Sequence, residues 1–315
     1  MSELSAAERT GDAVPRRLLI IYNPTAGQRR RRRFEAVLAA LRAQGCRLDL
    51  RQTAGPGDAE AMARAADPGA ADLIVAAGGD GTVNEVVNGL AGGGGPGGGL
   101  PLAVLPLGTA NVLAAEIGLA MDPAALARTI AEGPARPIAL GQANGRLFSV
   151  MLGVGFDAQV VDRVDQGLKR RVGKGAYLWE AARLLRRFDF PEYRVSLDGV
   201  SHSAASVIVA KGHFYGGRFV CAPEARLEEP LFQVCLFARP GAWNALRYAA
   251  ALGLGRLGRL PDYRVLPARE VRIEGPEGDP AQGDGDIIAR LPVSVRVLPK
   301  ALKIVMPPAA LPQVR

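Results

Sequence analysis

A glycine-rich turn, Gly78-Gly79-Asp80-Gly81-Thr82, carries one carboxylate and one hydroxyl and follows a short apolar run. Val83, Val86, Val87 and Leu90 come after it at helical spacing, which predicts a strand, a loop and then a helix. Glycines let the backbone approach a ligand closely, and the first amides of a helix have no internal partners, so the turn is suited to an anion. Asp80 would repel a phosphate on its own, but beside a Mg²⁺ ion it becomes a favourable neighbour. The turn is therefore a candidate phosphate and magnesium site.

Polar residues also follow three other short strands that the sequence predicts. The apolar run Arg17 to Tyr22 ends at Asn23, and the alternating run from Arg47 ends at Thr53. A fourth run, Leu102 to Pro106, is followed by Leu107-Gly108-Thr109-Ala110-Asn111. The carboxyl ends of parallel strands share one edge of a sheet, where ligands bind. We therefore expect Asn23, Thr53, Asp80 and Thr109 to converge on one site.

Strand and helix patterns alternate four times over residues 17–133. Asp58 can cap the second helix, and Asp122-Pro123 opens a helix that stops at Gly133. This alternation predicts an α/β domain with a doubly wound parallel sheet and helices on its faces.

After about residue 136 the pattern changes to strands with tight turns. Asn144-Gly145 and Asp198-Gly199 each separate two strand-like runs, which is a strong signal for two-residue hairpins. Helical patterns interrupt around 173–187 and 242–257. The second half is therefore predicted to be mostly antiparallel, as a β-sandwich. Near its end, the segment 282–287 (Gln-Gly-Asp-Gly-Asp-Ile) places two acids in a glycine turn.

Charge and composition restrict the partners. The formal net charge of +8 favours anionic partners such as nucleotides, nucleic acid or an acidic membrane surface. Aromatic residues are few and do not interleave with the basic runs, which argues against binding single-stranded nucleic acid. Cys46, Cys221 and Cys235 are far apart in apolar or strand-like contexts, which favours reduced thiols in a cytosolic protein. The two histidines, His202 and His213, are expected on a strand or loop surface.

The chain shows no signal for secretion or for a membrane span. Residues 1–17 lack the apolar core of a signal peptide, and no stretch of about 18 apolar residues is free of Pro, Asn or charge. We expect a cytoplasmic protein that meets a membrane from the water side. Five arginines, Arg29 to Arg33, open the first predicted helix. Cations there oppose the helix dipole, so the run either contacts a phosphate or lipid headgroup or forms a solvated basic face.

Taken together, these segments resemble the diacylglycerol kinase catalytic-domain family, which includes bacterial lipid kinases, sphingosine kinases and ceramide kinases. The resemblance runs from about Arg17 to Pro307. It rests on five motifs in order: Asn-Pro-Thr-Ala-Gly at 23–27, Gly-Gly-Asp-Gly-Thr at 78–82, Pro-Leu-Gly-Thr-Ala-Asn at 106–111, Gly-Val-Gly-Phe-Asp-Ala at 153–158 and Tyr-Gly-Gly at 215–217. The second motif alone is shared with NAD kinases and phosphofructokinases, but all five in order are specific.

The resemblance implies ATP and Mg²⁺ as cofactors and an active site between the two domains. The predicted divisions are a disordered segment over 1–16, a nucleotide-binding domain over 17–135 and a lipid-substrate β-sandwich over 136–295. The resemblance implies that the last segment, 296–315, returns to the first domain. The implied nucleotide contacts are Asn23, Thr53, Gly78, Gly79, Asp80, Gly81, Thr82, Val83, Asn84, Gly108 and Thr109. Asp286, where the family usually has Glu, would accept the proton of the lipid hydroxyl, and Asp80 would organise the catalytic Mg²⁺ and the phosphates.

Two departures from the family pattern concern metals. In the family an Asp-Gly pair follows the Ala-Pro-x-Ala motif, and the Asp with two main-chain carbonyls holds a structural Mg²⁺. The corresponding ligands here would be Arg226, Glu229 and Leu231, with Pro230 in place of the glycine. Val112 stands where many members have Asp, next to the predicted phosphate loop.

The resulting prediction is an ATP-dependent lipid kinase that works at the cytoplasmic face of the inner membrane. The acceptor is left open among diacylglycerol, a sphingoid base, ceramide, phosphatidylglycerol and a monoacylglycerol, and a homodimer is compatible with the sequence. One alternative is a kinase for a soluble substrate, of the NAD kinase type. The other is a nucleotide- or lipid-binding protein without turnover, suggested by Glu229, Pro230, Val112 and Asp286.

Overall fold

The computed structural model of the chain describes residues 16–25, 28–163, 185 and 188–308. The segment predicted to be disordered, except Arg16, and the helix predicted over 173–187, except Leu185, lie outside the described residues. The strands of the first half are β1 (Arg17–Tyr22), β2 (Arg47–Gln52), β3 (Leu73–Gly78) and β4 (Leu102–Pro106). Its helices are α1 (Gln28–Ala43), α2 (Asp58–Arg64), α3 (Asp80–Ala91), α4 (Val112–Glu116) and α5 (Pro123–Glu132).

The first four strands form a parallel sheet in the order β2-β1-β3-β4. Helix α1 packs beside α5, and α2 packs beside α3, so that helices cover both faces of the sheet. Every residue of β3 and β4 is buried, as expected for strands covered on both sides. The predicted doubly wound α/β architecture is confirmed.

The second half is built from short strands, most of them antiparallel. They are β5 (Ala135–Ala143), β6 (Arg146–Phe148), β7 (Met151–Val154), β8 (Tyr193–Leu197), β9 (Val200–Ala204), β10 (Ser206–Ala210), β11 (Phe214–Tyr215), β12 (Phe219–Val220), β13 (Phe232–Phe237), β14 (Tyr263–Ala268), β15 (Glu270–Glu274), β16 (Pro280–Gly283), β17 (Asp286–Arg290) and β18 (Val293–Val305). Two helices, α6 (Phe156–Arg163) and α7 (Ala242–Gly253), and a 3-10 turn (Leu257–Arg259) accompany them. Helix α7 confirms the second predicted helical insert.

Two sheets pack face to face in this half. One is a six-stranded antiparallel sheet in the order β14-β13-β10-β7-β16-β17, and the other is an extension of the first sheet through β5, β18, β15, β8 and β9. Phe148, Tyr193, Val209 and Phe232 lie fully buried in the core between them. The predicted β-sandwich is therefore confirmed.

Strand β18 joins the two halves. It pairs antiparallel with β5 and β15, and near its end Ile304 aligns parallel with Leu102 of β4. The ten-stranded sheet is therefore continuous from the α/β half into the sandwich.

The predicted hairpin turns form where Asn-Gly and Asp-Gly occur. Asn144-Gly145 connects β5 to β6 and Asp198-Gly199 connects β8 to β9, each with both residues at positive φ. The predicted cap at Asp58 is wrong: Gly57 precedes the helix, and the Asp58 carboxylate instead accepts hydrogen bonds from the amides of Ala54 and Gly55. The cap at Asp122 is confirmed by its bond from the amide of Ala125 at 2.9 Å.

Candidate functional site

Two glycine-containing loops lie in direct backbone contact where β3 and β4 end. A Cβ atom built on Gly79 would lie 3.2 Å from the Cα of Gly108, and one built on Gly108 would overlap the Cα of Gly79. The amide of Leu107 donates to the carbonyl of Gly78 at 2.8 Å. Side chains at either glycine would force the loops apart, so the glycines are needed for this close approach.

Asp80 links the same two loops through its side chain. One carboxylate oxygen accepts from the amide of Asn111 at 2.9 Å and the other from the amide of Val112 at 2.6 Å. Burial raises the pKa of Asp80, while these two amides act to lower it. Asn111 adopts a positive φ immediately before α4, and Val112 is the first residue of that helix. Because Asp80 accepts from the amides of both residues, it holds the start of α4 in place.

The arrangement fits a Mg²⁺ ion held by one carboxylate together with a nucleotide. Each oxygen of Asp80 keeps a lone pair beyond its amide bond, and Mg²⁺ is commonly bound by one or two carboxylates plus phosphates and water. Among the described residues, no group of three or more His, Cys, Asp or Glu side chains could hold a metal. A Mg²⁺ ion at Asp80 would therefore depend on the phosphate oxygens of its nucleotide.

The ends of β1 and β2 are joined to this region by hydrogen bonds. The side-chain amide of Asn23 donates to the hydroxyl of Thr82 at 3.2 Å, and the amide of Thr53 donates to the carbonyl of Tyr22 at 2.9 Å. Thr109 lies exposed on the loop after β4. The structure thus places Asn23 in contact with the glycine turn and Thr53 at the neighbouring strand end.

Asp286 comes to the glycine turn from the sandwich. It begins β17, and a Cβ atom built on Gly81 would lie only 2.6 Å from its Oδ2 atom. A partly exposed carboxylate of the second half therefore touches the first turn of α3, beside the candidate phosphate cradle.

Asp284 is a second carboxylate of the same hairpin, and no site role was predicted for it. One oxygen accepts from the amide and hydroxyl of Ser149 at 2.6 and 2.8 Å and from the side chain of Asn84 at 3.2 Å. The other accepts from the amides of Val150 and Met151 at 2.9 and 3.1 Å. Five hydrogen bonds therefore hold the turn that presents Asp286 against α3 and the start of β7.

Val83 and Asn84, both predicted to contact the nucleotide, are buried. The Asn84 amide donates to the carbonyl of Leu147 at 3.0 Å as well as to Asp284. Asn84 therefore joins the α/β half to the sandwich.

His213 lies on a loop, as predicted, and its ring takes part in a second junction. The buried carboxylate of Glu116, at the end of α4, bonds to the His213 ring and accepts from its amide at 2.9 Å. The other ring nitrogen of His213 contacts Arg226 at 2.6 Å. His213 is therefore part of a polar chain between α4 and the sandwich.

The arginine run divides between two environments. The guanidinium of Arg30 bonds to the carbonyl of Leu107, beside the second loop, whereas Arg31 forms an exposed ion pair with Glu35. Burial lowers the pKa of Arg30. At least one cation of the run thus lies close to the candidate phosphate site.

The predicted structural Mg²⁺ site requires a correction. The carbonyl oxygens of Arg226, Glu229 and Leu231 do converge, but they surround the Nζ atom of Lys211, at 2.8, 2.5 and 3.1 Å. Burial lowers the pKa of Lys211 to about 8, and the nearby carboxylates of Glu229, Glu228 and Glu116 oppose this shift. At neutral pH the ammonium form still dominates. The residues present do not fit a metal ion, because the ammonium already fills the centre of the cage.

Comparison with known protein families covers nearly the whole described chain. The family model of the diacylglycerol kinase catalytic domain matches residues 17–143, and that of the YegS C-terminal NAD kinase beta sandwich-like domain matches residues 150–306. No helix among the described residues has both the length and the apolar character needed to cross a membrane.

Individual proteins give the same result. The diacylglycerol kinase of Bacillus subtilis (strain 168) is 31% identical over 299 residues, which cover 93% of this chain and 97% of the relative. A Pseudomonas aeruginosa protein named "Probable lipid kinase YegS-like" is 32% identical over 297 residues, with 92% and 94% covered. The crystal structure of a diacylglycerol kinase from Bacillus anthracis str. Sterne shares the fold, with a TM-score of 0.73 at 24% identity over 95% of this chain and 100% of that one.

Proposed function

Because the chain belongs to the diacylglycerol kinase family of lipid kinases, we propose that it transfers the γ-phosphate of ATP to a lipid hydroxyl between its α/β half and its sandwich. The observation that carries this proposal is the contact of Asp286 with Gly81. It puts a carboxylate able to take a proton beside the loops suited to hold phosphates.

In the proposed reaction, the oxygen of the lipid hydroxyl attacks the γ-phosphorus, and Asp286 accepts the proton of that hydroxyl. The bond between the γ-phosphorus and the bridging oxygen breaks, and ADP leaves. Phosphoryl transfer needs positioning and charge neutralisation more than covalent help from the protein. The backbone of the two loops around Gly79 and Gly108 would orient the phosphates, Asn23 and Thr82 would hold the turn, and Arg30 would add positive charge. When bound at Asp80, Mg²⁺ would offset the negative charge of the phosphates.

The acceptor is proposed to be a diacylglycerol-like or sphingoid-like lipid at the cytoplasmic face of the inner membrane. The names of the two curated relatives support a lipid acceptor, and the positive net charge suits an anionic membrane surface.

The test is incubation of the purified protein with γ-labelled ATP, Mg²⁺ and a panel of lipids, followed by product identification. Asp286→Asn should lower kcat by about 10²- to 10⁴-fold while the ATP dissociation constant stays nearly unchanged. Asp49→Asn, at an exposed carboxylate on β2, is the matched control and should keep full activity. Label in NAD rather than in lipid would identify a small-molecule kinase. ATP binding without transfer to any acceptor would identify a binding protein.

A further inference from the structure

The Lys211 side chain ends in a closed cage of main-chain oxygens. The residue is 0% exposed, and its ammonium group has three N–H donors for three carbonyl acceptors, so both sides are satisfied. The carbonyls of Arg226 and Leu231 lie at 2.8 and 3.1 Å, within the range of N–H···O hydrogen bonds, and that of Glu229 lies closer. A Mg²⁺ ion would need about six oxygens at about 2.0–2.1 Å, so this cage is sized for an ammonium.

The choice of lysine is informative in this chain. Only five of its 39 basic residues are lysines, and all the others are arginines. An ammonium is a compact charge with donors that can rotate, whereas a guanidinium is a wide planar fork. A small, roughly spherical cation is the group that can replace a metal ion among converging carbonyls.

The cage loop has contacts that extend to the candidate active site. The carbonyl of Leu227 accepts from the amide of Ala139 at 2.8 Å. The Leu227 side chain packs in the core of the α/β half. Arg226 contacts His213, which pairs with Glu116 at the end of α4. The ammonium therefore fixes a loop that connects the sandwich to the helix after the phosphate loop.

We propose that Lys211 is a built-in structural cation, which takes the place of a divalent metal in the 226–231 cage and makes folding of this loop independent of metal ions.

Metal content and thermal unfolding of the wild-type protein, both measured without nucleotide, provide the first test. After gel filtration the protein should carry no stoichiometric divalent ion, and its unfolding midpoint should be the same in EDTA, Mg²⁺ and Ca²⁺. A retained ion in one-to-one ratio, or a midpoint that falls in EDTA, would overturn the proposal.

The second test is Lys211→Met, which keeps an unbranched side chain but leaves the three carbonyls without donors. Its midpoint should fall by about 10 °C, and protease cleavage within 226–231 should become faster. Lys303→Met is the matched control, because Lys303 is exposed on β18, and it should shift the midpoint little. Equal midpoints for the two variants would contradict the proposal. If Lys211→Met does not fold at all, the metal content and unfolding midpoints of the wild type still test whether the loop is independent of metal ions.

A different observation concerns the outer surface of α7. Trp243, Leu254 and Leu246 are 77%, 68% and 50% exposed, and Phe219 and Val220 are exposed on the adjoining β11–β12 hairpin. Among the described residues these five account for most of the exposed large apolar side chains. We call these five residues the α7 face. Such a grouped apolar surface is typical of an interaction site.

The charge around the α7 face identifies the partner. Arg218, Arg256 and Arg259 are exposed around the face, whereas Arg239 and Arg247 form ion pairs with Asp262. Apolar side chains with tryptophan, bordered by basic residues, fit the interface of an anionic bilayer. We infer that the α7 face docks this protein on an anionic lipid surface. This inference rests on the proposed function, because a lipid substrate requires the enzyme to reach a bilayer.

The test is cosedimentation with vesicles of phosphatidylglycerol and phosphatidylethanolamine, compared with pure phosphatidylcholine vesicles. The double change Leu246→Glu and Leu254→Glu should weaken binding to the anionic vesicles on the order of tenfold or more. The matched control is Val200→Glu, at an exposed position on β9, and it should bind as the wild type does. Unchanged binding of the double variant would overturn the inference.

Activity toward a short-chain lipid dissolved as monomers separates this inference from the proposed function. The double variant should keep that activity while losing vesicle binding. Absence of lipid phosphorylation by the wild type in either assay would count against the proposed function, and the vesicle-binding comparison would still decide on the α7 face.

Discussion

Gly81→Ala should separate catalysis from stability. The new Cβ atom would lie 2.6 Å from the Oδ2 atom of Asp286, and ordinary contacts of this kind begin at about 3.4 Å. The Asp286 carboxylate must therefore retreat by about 0.8 Å. A misplacement of about 1 Å at a reacting group costs on the order of 10²-fold in rate, so kcat should fall by about that factor. Alanine is a better helix former than glycine by up to about 1 kcal/mol, so stability should be kept or raised.

The assay is steady-state lipid phosphorylation in mixed micelles together with thermal unfolding and ATP binding. Gly258→Ala is the control, because a Cβ atom there would meet no atom within 4 Å. The double variant Gly81→Ala with Asp286→Asn should be no slower than Asp286→Asn alone, since both changes act through one carboxylate. Near-normal kcat in Gly81→Ala, or full additivity in the double variant, would refute this reasoning.

Three further substitutions test the junctions around the site. Asp80→Ala should remove most activity and lower the free energy of unfolding by about 2–4 kcal/mol, because two amides at the start of α4 lose their acceptor. Kinase assay and urea unfolding measure the two effects, and normal turnover of the folded variant would contradict the role of Asp80. Asp284→Asn should lower the free energy of unfolding in urea by about 2–3 kcal/mol. The side-chain nitrogen of the new asparagine cannot accept the hydrogen bonds that one carboxylate oxygen accepts in the wild type. An unchanged unfolding midpoint would show that those bonds add little. Glu116→Ala should lower stability by about 1–3 kcal/mol by leaving His213 without its buried partner, and thermal unfolding that matches the wild type would disprove this.

Local patterns in the sequence were enough to predict most of the fold. The order of strand, loop and helix around Gly78–Thr82 was predicted from one apolar run and one helical period. The structure confirms the strand as β3 and the helix as α3. Asn144-Gly145 predicted its hairpin because both positions need positive φ. Asp58 was misassigned because a carboxylate at the start of a helix can accept hydrogen bonds from the preceding loop as well as from the helix, and the sequence does not distinguish the two.

The site was less accessible to sequence reasoning, because its decisive contacts join distant segments. Motif order, through the family resemblance, suggested Asp286 as a partner of the glycine turn, but not its contact with Gly81. Asp284 was missed because Asp-Gly already has a sufficient explanation as a hairpin turn. The Lys211 cage consists of main-chain oxygens, which leave no residue-type signal. The one available signal was a lysine placed directly after the apolar run Ser206–Ala210 in a chain that otherwise prefers arginine.

Sharing strand β18 between both halves has a consequence for protein synthesis. Strand β4 begins at Leu102, yet its neighbour at Ile304 is made about two hundred residues later. During synthesis the α/β half therefore emerges with an open sheet edge, which stays unpaired until the last strand is made. A gene fragment that encodes the first half alone would keep that edge open permanently. The sheet of the α/β half is thus completed only by the last strand of the chain.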